Sequence, residues 1–199
     1  MRNQIFKLIL LSILTTTYLG CSSDSDSDGC GTITCLNGGT FVNCECDCPE
    51  GYTGNNCSSQ VTPSKVIINK ATVKVFPNTD NGEFWDAAIP NTEDALPDVY
   101  ITFQDSNLNI IYDSPTFYEN VISGEGTFFE FTLTPSLELT AYDNPFLVNI
   151  WDYDTTSDDD FMTSFGFFAY TSDNNFPDVI TVVSQSDEIL VDLEVTYQF

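Results

Sequence analysis

Six of the seven cysteines in this 199-residue chain fall between Cys30 and Cys57, and none follows. The stretch they bound is too short and too polar to build an apolar core, so covalent cross-links must hold it together. The stretch 65–199 has no cysteine and is rich in aromatic residues, so it must fold by burial instead. Cys21 stands apart, and setting it aside leaves an even number for pairing. Two regions built on different physics therefore share one chain, separated at 58–64 by a linker, Ser58-Ser59-Gln60-Val61-Thr62-Pro63-Ser64.

The second region is written in a period of two. Ala71, Val73 and Val75 alternate with Thr72 and Lys74, Val99, Ile101 and Phe103 with Tyr100 and Thr102, and Phe129, Phe131 and Leu133 with Glu130 and Thr132. The last stretch is the clearest, with Val191, Leu193, Val195, Tyr197 and Phe199 on one side and Asp192, Glu194, Thr196 and Gln198 on the other. No window of comparable length carries a helical stripe, and Pro, Gly, Asn and Asp punctuate the runs. The expectation is a mainly β fold with about eight antiparallel strands in two sheets; a parallel sheet would need crossover helices.

Charge removes several kinds of function. The chain holds 30 Asp and Glu against five Lys and Arg, and no histidine. A Ser-His-Asp triad, a Cys-His dyad and His-ligated zinc are therefore impossible, and there is no basic patch for a nucleic acid. The same surface supplies abundant hard oxygen ligands for divalent cations.

At the N-terminus, Arg2 and Lys7 precede an apolar run at 8–14 that is too short to span a bilayer, so 1–20 read as a signal peptide. Tyr18-Leu19-Gly20-Cys21 resembles the lipobox of bacterial lipoproteins, with Tyr18 in place of the usual leucine. That resemblance implies cleavage before Cys21 and acylation of its thiol and new amino group, anchoring the chain in a membrane of the cell envelope. Residues 21–29 alternate Ser and Asp and read as a solvated tether; similar stretches in lipoproteins look like export signals to the outer surface of an outer membrane. An EF-hand beginning at Asp24 is excluded because its twelfth position is Cys35.

Within 30–57, Cys48-x-x-Gly51-Tyr52-x-Gly54-x-x-Cys57, the Cys46-x-Cys48 pair and Cys35-Leu-Asn-Gly-Gly-Thr resemble EGF-like modules. The family pairing implies Cys30–Cys44, Cys35–Cys46 and Cys48–Cys57. Phe41 stands where the family places its third cysteine, and Cys44 and Cys46 are close enough to exchange partners, so the first two pairs stay open. The module reads as a spacer.

The chemistry of 65–199 gathers in Phe146–Phe161, where an apolar strand runs into an acidic loop. Alternation sends Asp152 and Asp154 to one side, where they can converge on a single hard cation. Asp152, Asp154, Ser157 and Asp160 match the spacing of the third calcium loop of C2 domains, and Pro97-Asp98-Val99-Tyr100-Ile101 resembles the strand start that follows their first loop. The resemblance implies a Ca2+ site in which Asp98 bridges and Asp86 supplies the upstream ligand, with Asp80, Glu93 and Asp94 as alternatives. Trp85, Trp151 and Phe161 read as core or shoulder packing rather than as residues that insert into a partner.

The expected function is a non-enzymatic, calcium-dependent binding or adhesion module at the cell surface. Its partners would be the membrane, through lipid on Cys21, and a surface protein, a glycan or a calcium-bridged anionic group. One alternative is a metal-stabilised structural component of a surface layer. Another is a carboxylate-pair enzyme acting on carbohydrate, disfavoured because no insertion forms a cleft.

Overall fold

The computed structural model describes residues 31–86, 95–155, 157–184 and 189–199. The signal peptide, the Ser/Asp tether, the lipidation residue Cys21, and Cys30 lie outside the described residues, as do Glu93 and Asp94.

Ile33 to Phe199 form one compact unit. It opens with the disulfide-rich segment, where β1 (Thr40–Val42) and β2 (Glu45–Asp47) pair antiparallel with Val42 opposite Glu45. Asn43 and Cys44 between them both have positive φ, 51° and 72°, as a two-residue hairpin turn matched to strand twist requires. Disulfides join Cys35 to Cys46 and Cys48 to Cys57. Cys44 is also disulfide-bonded, while its expected partner Cys30 is not among the described residues. β3 (Tyr52–Thr53) pairs with β4 (Ser59–Gln60) inside the 58–64 stretch, which is further fixed by the Val61 amide donating to Gly51 O at 2.8 Å and Ser64 donating to Gln198 O.

The remaining eight strands make the sandwich foreseen from the alternation. One antiparallel sheet has the order β10 (Asp160–Phe167), β9 (Phe146–Asp152), β6 (Val99–Gln104), β7 (Ile110–Asp113). The other has the order β11 (Val179–Val183), β12 (Leu190–Gln198), β5 (Lys65–Val75), β8 (Phe129–Leu139). Their inner faces bury Val99, Ile101, Phe103, Val148 and Ile150 against Val66, Ile68, Val73, Leu139, Val191 and Leu193.

One of the two longest strands changes which residues face inward partway along. In β5 the buried set passes from Val66 and Ile68 to Ala71 and Val73, with a register irregularity between Ile68 and Lys70 against β8. In β8 the buried residues Phe129, Phe131, Leu133, Leu137 and Leu139 keep a single alternation along the whole strand. A bulge inserts one residue and so swaps faces, which lets β5 keep apolar side chains inward along its whole length.

The disulfide-rich segment meets the sandwich through aromatic rings. Phe176 stands edge-on to Tyr52, Tyr197 and Phe199, at centroid distances of 5.4, 5.3 and 5.0 Å. Gly51 is obligatory beneath them: its φ is +86°, and a Cβ there would approach Phe199 to 2.7 Å and Phe176 to 2.9 Å. Phe176 itself has φ 49°, a conformation a bulky residue adopts only where its surroundings impose it.

An acidic rim at one end of the sandwich

β9 alternates, and its inward positions are Phe146, Val148, Ile150 and Asp152, all buried. The same period that builds the core therefore carries a carboxylate into it. Asp152 is fully buried at the end of the strand, opposite Val99 of β6 on one side and Asp160 of β10 on the other.

One oxygen of Asp152 is satisfied, since Oδ1 accepts the Asp98 backbone N–H at 2.6 Å. Its Oδ2 is buried and has no hydrogen-bond partner among the described residues. Burial is the largest influence on this group, and the nearby negative charges of Asp86, Asp154 and Asp98 add to it; together they push its pKa from the ordinary carboxylate range to about 7.

Asp98 is tied to the same spot from the neighbouring strand. Its carbonyl accepts the Tyr153 N–H at 2.8 Å, and its Oδ1 accepts the Asn120 N–H at 2.7 Å. Burial raises its pKa and the Asn120 hydrogen bond opposes the rise, while Glu119 and Asp154 push it further up. Asp86, half-buried, is likewise raised, first by burial and then by Asp98, Asp154 and Asp160. Carboxylates from three separated stretches of chain thus face one another electrostatically at one end of the sandwich.

The acidic loop after β9 is braced from within. Asp159 accepts the Asp154 N–H at 3.0 Å through Oδ1 and the Tyr100 hydroxyl at 2.7 Å through Oδ2. Burial, and then that hydrogen bond, raise the Tyr100 pKa. Asp159 and Glu119 are two rim residues that the spacing rules did not single out. A repeating acidic run hides which member turns inward to clasp the backbone, and Glu119 arrives on a connection far away in sequence.

The other expected ligands divide. Asp154 and Asp160 share the electrostatic neighbourhood of Asp86. Ser157 is exposed, and no hydrogen bond ties it to the carboxylates among the described residues. Asp80 is occupied elsewhere, in a tight turn where it exchanges backbone hydrogen bonds with Glu83. Among the described residues no group of three acidic side chains stands as a finished metal-holding array. Like charges in a partly desolvated rim keep one another apart.

The aromatic residues of this end pack in different ways. Trp85 donates its indole N–H to Pro77 O at 2.9 Å and rests on the core. Trp151 donates to Thr102 Oγ1 at 3.0 Å and stacks along Tyr100. Phe161 touches Trp151 edge-on but is 51% exposed.

No protein-family model matches the chain, and no curated protein is found similar to it.

Proposed function

We infer that this protein is a lipid-anchored bacterial surface module whose C2-like sandwich binds partners with the help of calcium. The observation that carries this reading is the fully buried Asp152, with one oxygen lacking a partner among the described residues and with Asp86, Asp98 and Asp154 as its charged neighbours. To ionise, a group in that setting needs positive charge beside it, and the described rim contains no Lys or Arg. All three lysines of 65–199 are committed elsewhere, Lys65 to Glu138, Lys70 to Glu130 and Glu194, and Lys74 to Asp192.

A hard divalent cation that takes six to eight oxygens suits this donor set, since all of its members are carboxylates, carbonyls or hydroxyls. Asp152, Asp98, Asp154 and Asp86 would hold it, with Asp160 and Ser157 from the loop. The ion would supply the charge that lets Asp152 ionise, and it would draw the loops together. A cation exposed at the rim then gives an acidic protein a means of meeting an anionic partner. The short apolar leader and Tyr18-Leu19-Gly20-Cys21 support a lipid on Cys21, with the Ser/Asp tether holding the folded part away from the bilayer.

Calcium titration calorimetry, with thermal melts in calcium and in chelator, tests the site. The expected dissociation constant is in the range of about 10⁻⁴–10⁻³ M typical of extracellular modules. No heat and no rise in melting midpoint at millimolar calcium would end the reading. For the anchor, Cys21→Ser should abolish incorporation of labelled palmitate and release the protein from membranes.

A further inference from the structure

The edge of a sheet is an open row of backbone donors and acceptors, and native proteins guard it with charge, proline, bulges or short length. Three edges of this sandwich are guarded in that way. β7 has only 4 residues, ends in Asp113 and has a register irregularity against β6. β8 carries Pro135, Glu130 and Glu138. β10 opens with Asp160 and is irregular against β9 between Phe161 and Thr163. β11 is the exception among the described residues: Val179-Ile180-Thr181-Val182-Val183 holds no charge and no proline, and it pairs with β12 in unbroken register.

The bonds on one side of β11 fix what its other side presents. The Val195 N–H donates to Asp178 O at 2.9 Å and the Ser184 N–H donates to Ile189 O at 3.2 Å, so the ladder between them runs through Ile180 and Val182. The N–H and C=O groups of Val179, Thr181 and Val183 therefore point away from β12, and no described strand lies beyond them. The side chains of these three residues are exposed too, Val179 by 40% and Val183 by 46%.

The segment is nearly symmetric about Thr181. Laid antiparallel to a second copy across a twofold axis at that residue, it sets Val179 opposite Val183, Ile180 opposite Val182, and Thr181 opposite itself. Every outward N–H and C=O then finds a partner, each opposed pair exchanging both bonds. The exposed valines cover one another, and a threonine pair is favourable across strands. Charge allows the approach, because Asp178 falls opposite Ser184 and not opposite another carboxylate. The four strands of this sheet hold Lys65, Lys70 and Lys74 against Glu130, Glu138, Asp192 and Glu194, a net of 3 − 4 = −1 in a chain of −25. We propose that β11 pairs with β11 of a second copy of this chain, joining two four-stranded sheets into one continuous sheet.

Cysteine scanning of the full chain, kept in a mild detergent, reads both the contact and its register. Opposed Thr181 Cα atoms would stand about 5.5 Å apart, within disulfide reach, so Thr181→Cys should run as a dimer on a non-reducing gel. Two copies of Val183→Cys would hold their new thiols' Cα atoms roughly 14 Å apart and should not cross-link, whereas a mixture of Val179→Cys and Val183→Cys chains should. An interface this narrow belongs with weak, reversible contacts, and the expected dissociation constant is about 10–100 µM. Hydrogen exchange reads the unaltered protein. Between about 1 µM and 1 mM the amides of Val179, Thr181 and Val183 should slow about five- to fifteenfold, while those of Ile180 and Val182, already bonded to β12, should not change. Thr181→Lys, at an exposed site, should abolish this dependence on concentration and leave the melting midpoint of the dilute protein unchanged. Equal cross-linking through Thr181→Cys and Val183→Cys, a Thr181→Cys chain that joins only other proteins, or exchange at Thr181 that ignores concentration would overturn the proposal. None of these readouts requires calcium, so the edge is tested apart from the rim.

Discussion

Replacing Asp152 by asparagine isolates the electrostatic tension at the rim, because the two side chains have nearly the same shape. In the folded protein the Asp152 carboxyl has a pKa of about 7, against 3.8 for an ordinary aspartate. Between those values the folded state holds a proton that the unfolded state has released. The contribution of this group to stability is therefore greatest below pH 4, falls by about 1.4 kcal/mol per pH unit through that window, and levels off above pH 7. Over the whole window this group costs about 4 kcal/mol. Asp152→Asn abolishes that slope. It keeps the oxygen that accepts the Asp98 N–H and adds a donor among the Asp86, Asp98 and Asp154 carboxylates, so in chelator at pH 8 the variant should be about 2–4 kcal/mol more stable than the wild type. Calcium should reverse the order of benefit. With a dissociation constant of about 10⁻⁴–10⁻³ M, millimolar calcium stabilises the wild type by about 0.4–1.4 kcal/mol and the variant hardly at all. Urea unfolding from pH 4 to 8, followed by fluorescence of the two tryptophans, reads every one of these quantities. A wild-type stability that is flat from pH 4 to 7, or a metal-free variant weaker than the wild type at pH 8, would refute the reasoning.

Three further substitutions probe the supports of the two ends. Asp159→Ala removes the acceptor for both the Tyr100 hydroxyl and the Asp154 N–H, so the Asp154 amide should exchange its hydrogen faster by tenfold or more and stability should drop by about 1–3 kcal/mol. Thr102→Val leaves the buried Asn149 side-chain amide and the Trp151 indole N–H without their shared acceptor, with an expected loss of about 1–3 kcal/mol in urea unfolding and a shift in tryptophan emission. Gly51→Ala forces a Cβ into Phe176 and Phe199 at a positive φ, and should lower stability by about 1–3 kcal/mol while leaving calcium affinity at the distant rim unchanged.

The sequence by itself determined the class of fold and the way each region is held. Strict alternation in 129–133 and 191–195 leaves only one face for the core, and six clustered cysteines leave only cross-links for 30–57; both are local signals that need no partner to be read. It also placed Asp152 in line with the core, since a strand that alternates Phe146, Val148, Ile150 and Asp152 delivers the last of them to the inner side. Two of the family-implied disulfides, Cys35–Cys46 and Cys48–Cys57, likewise come together in space.

Tertiary structure alone decided how much each carboxylate matters. Asp152 and Asp159 belong to the same acidic stretch, yet one is sealed beside Asp98 with an oxygen that has no partner among the described residues and the other spends both oxygens bracing the loop. That difference arises from β6 lying next to β9, a pairing between residues some fifty positions apart. The face switch in β5 escaped the alternation for a related reason, because a bulge is defined against the partner strand and not within its own.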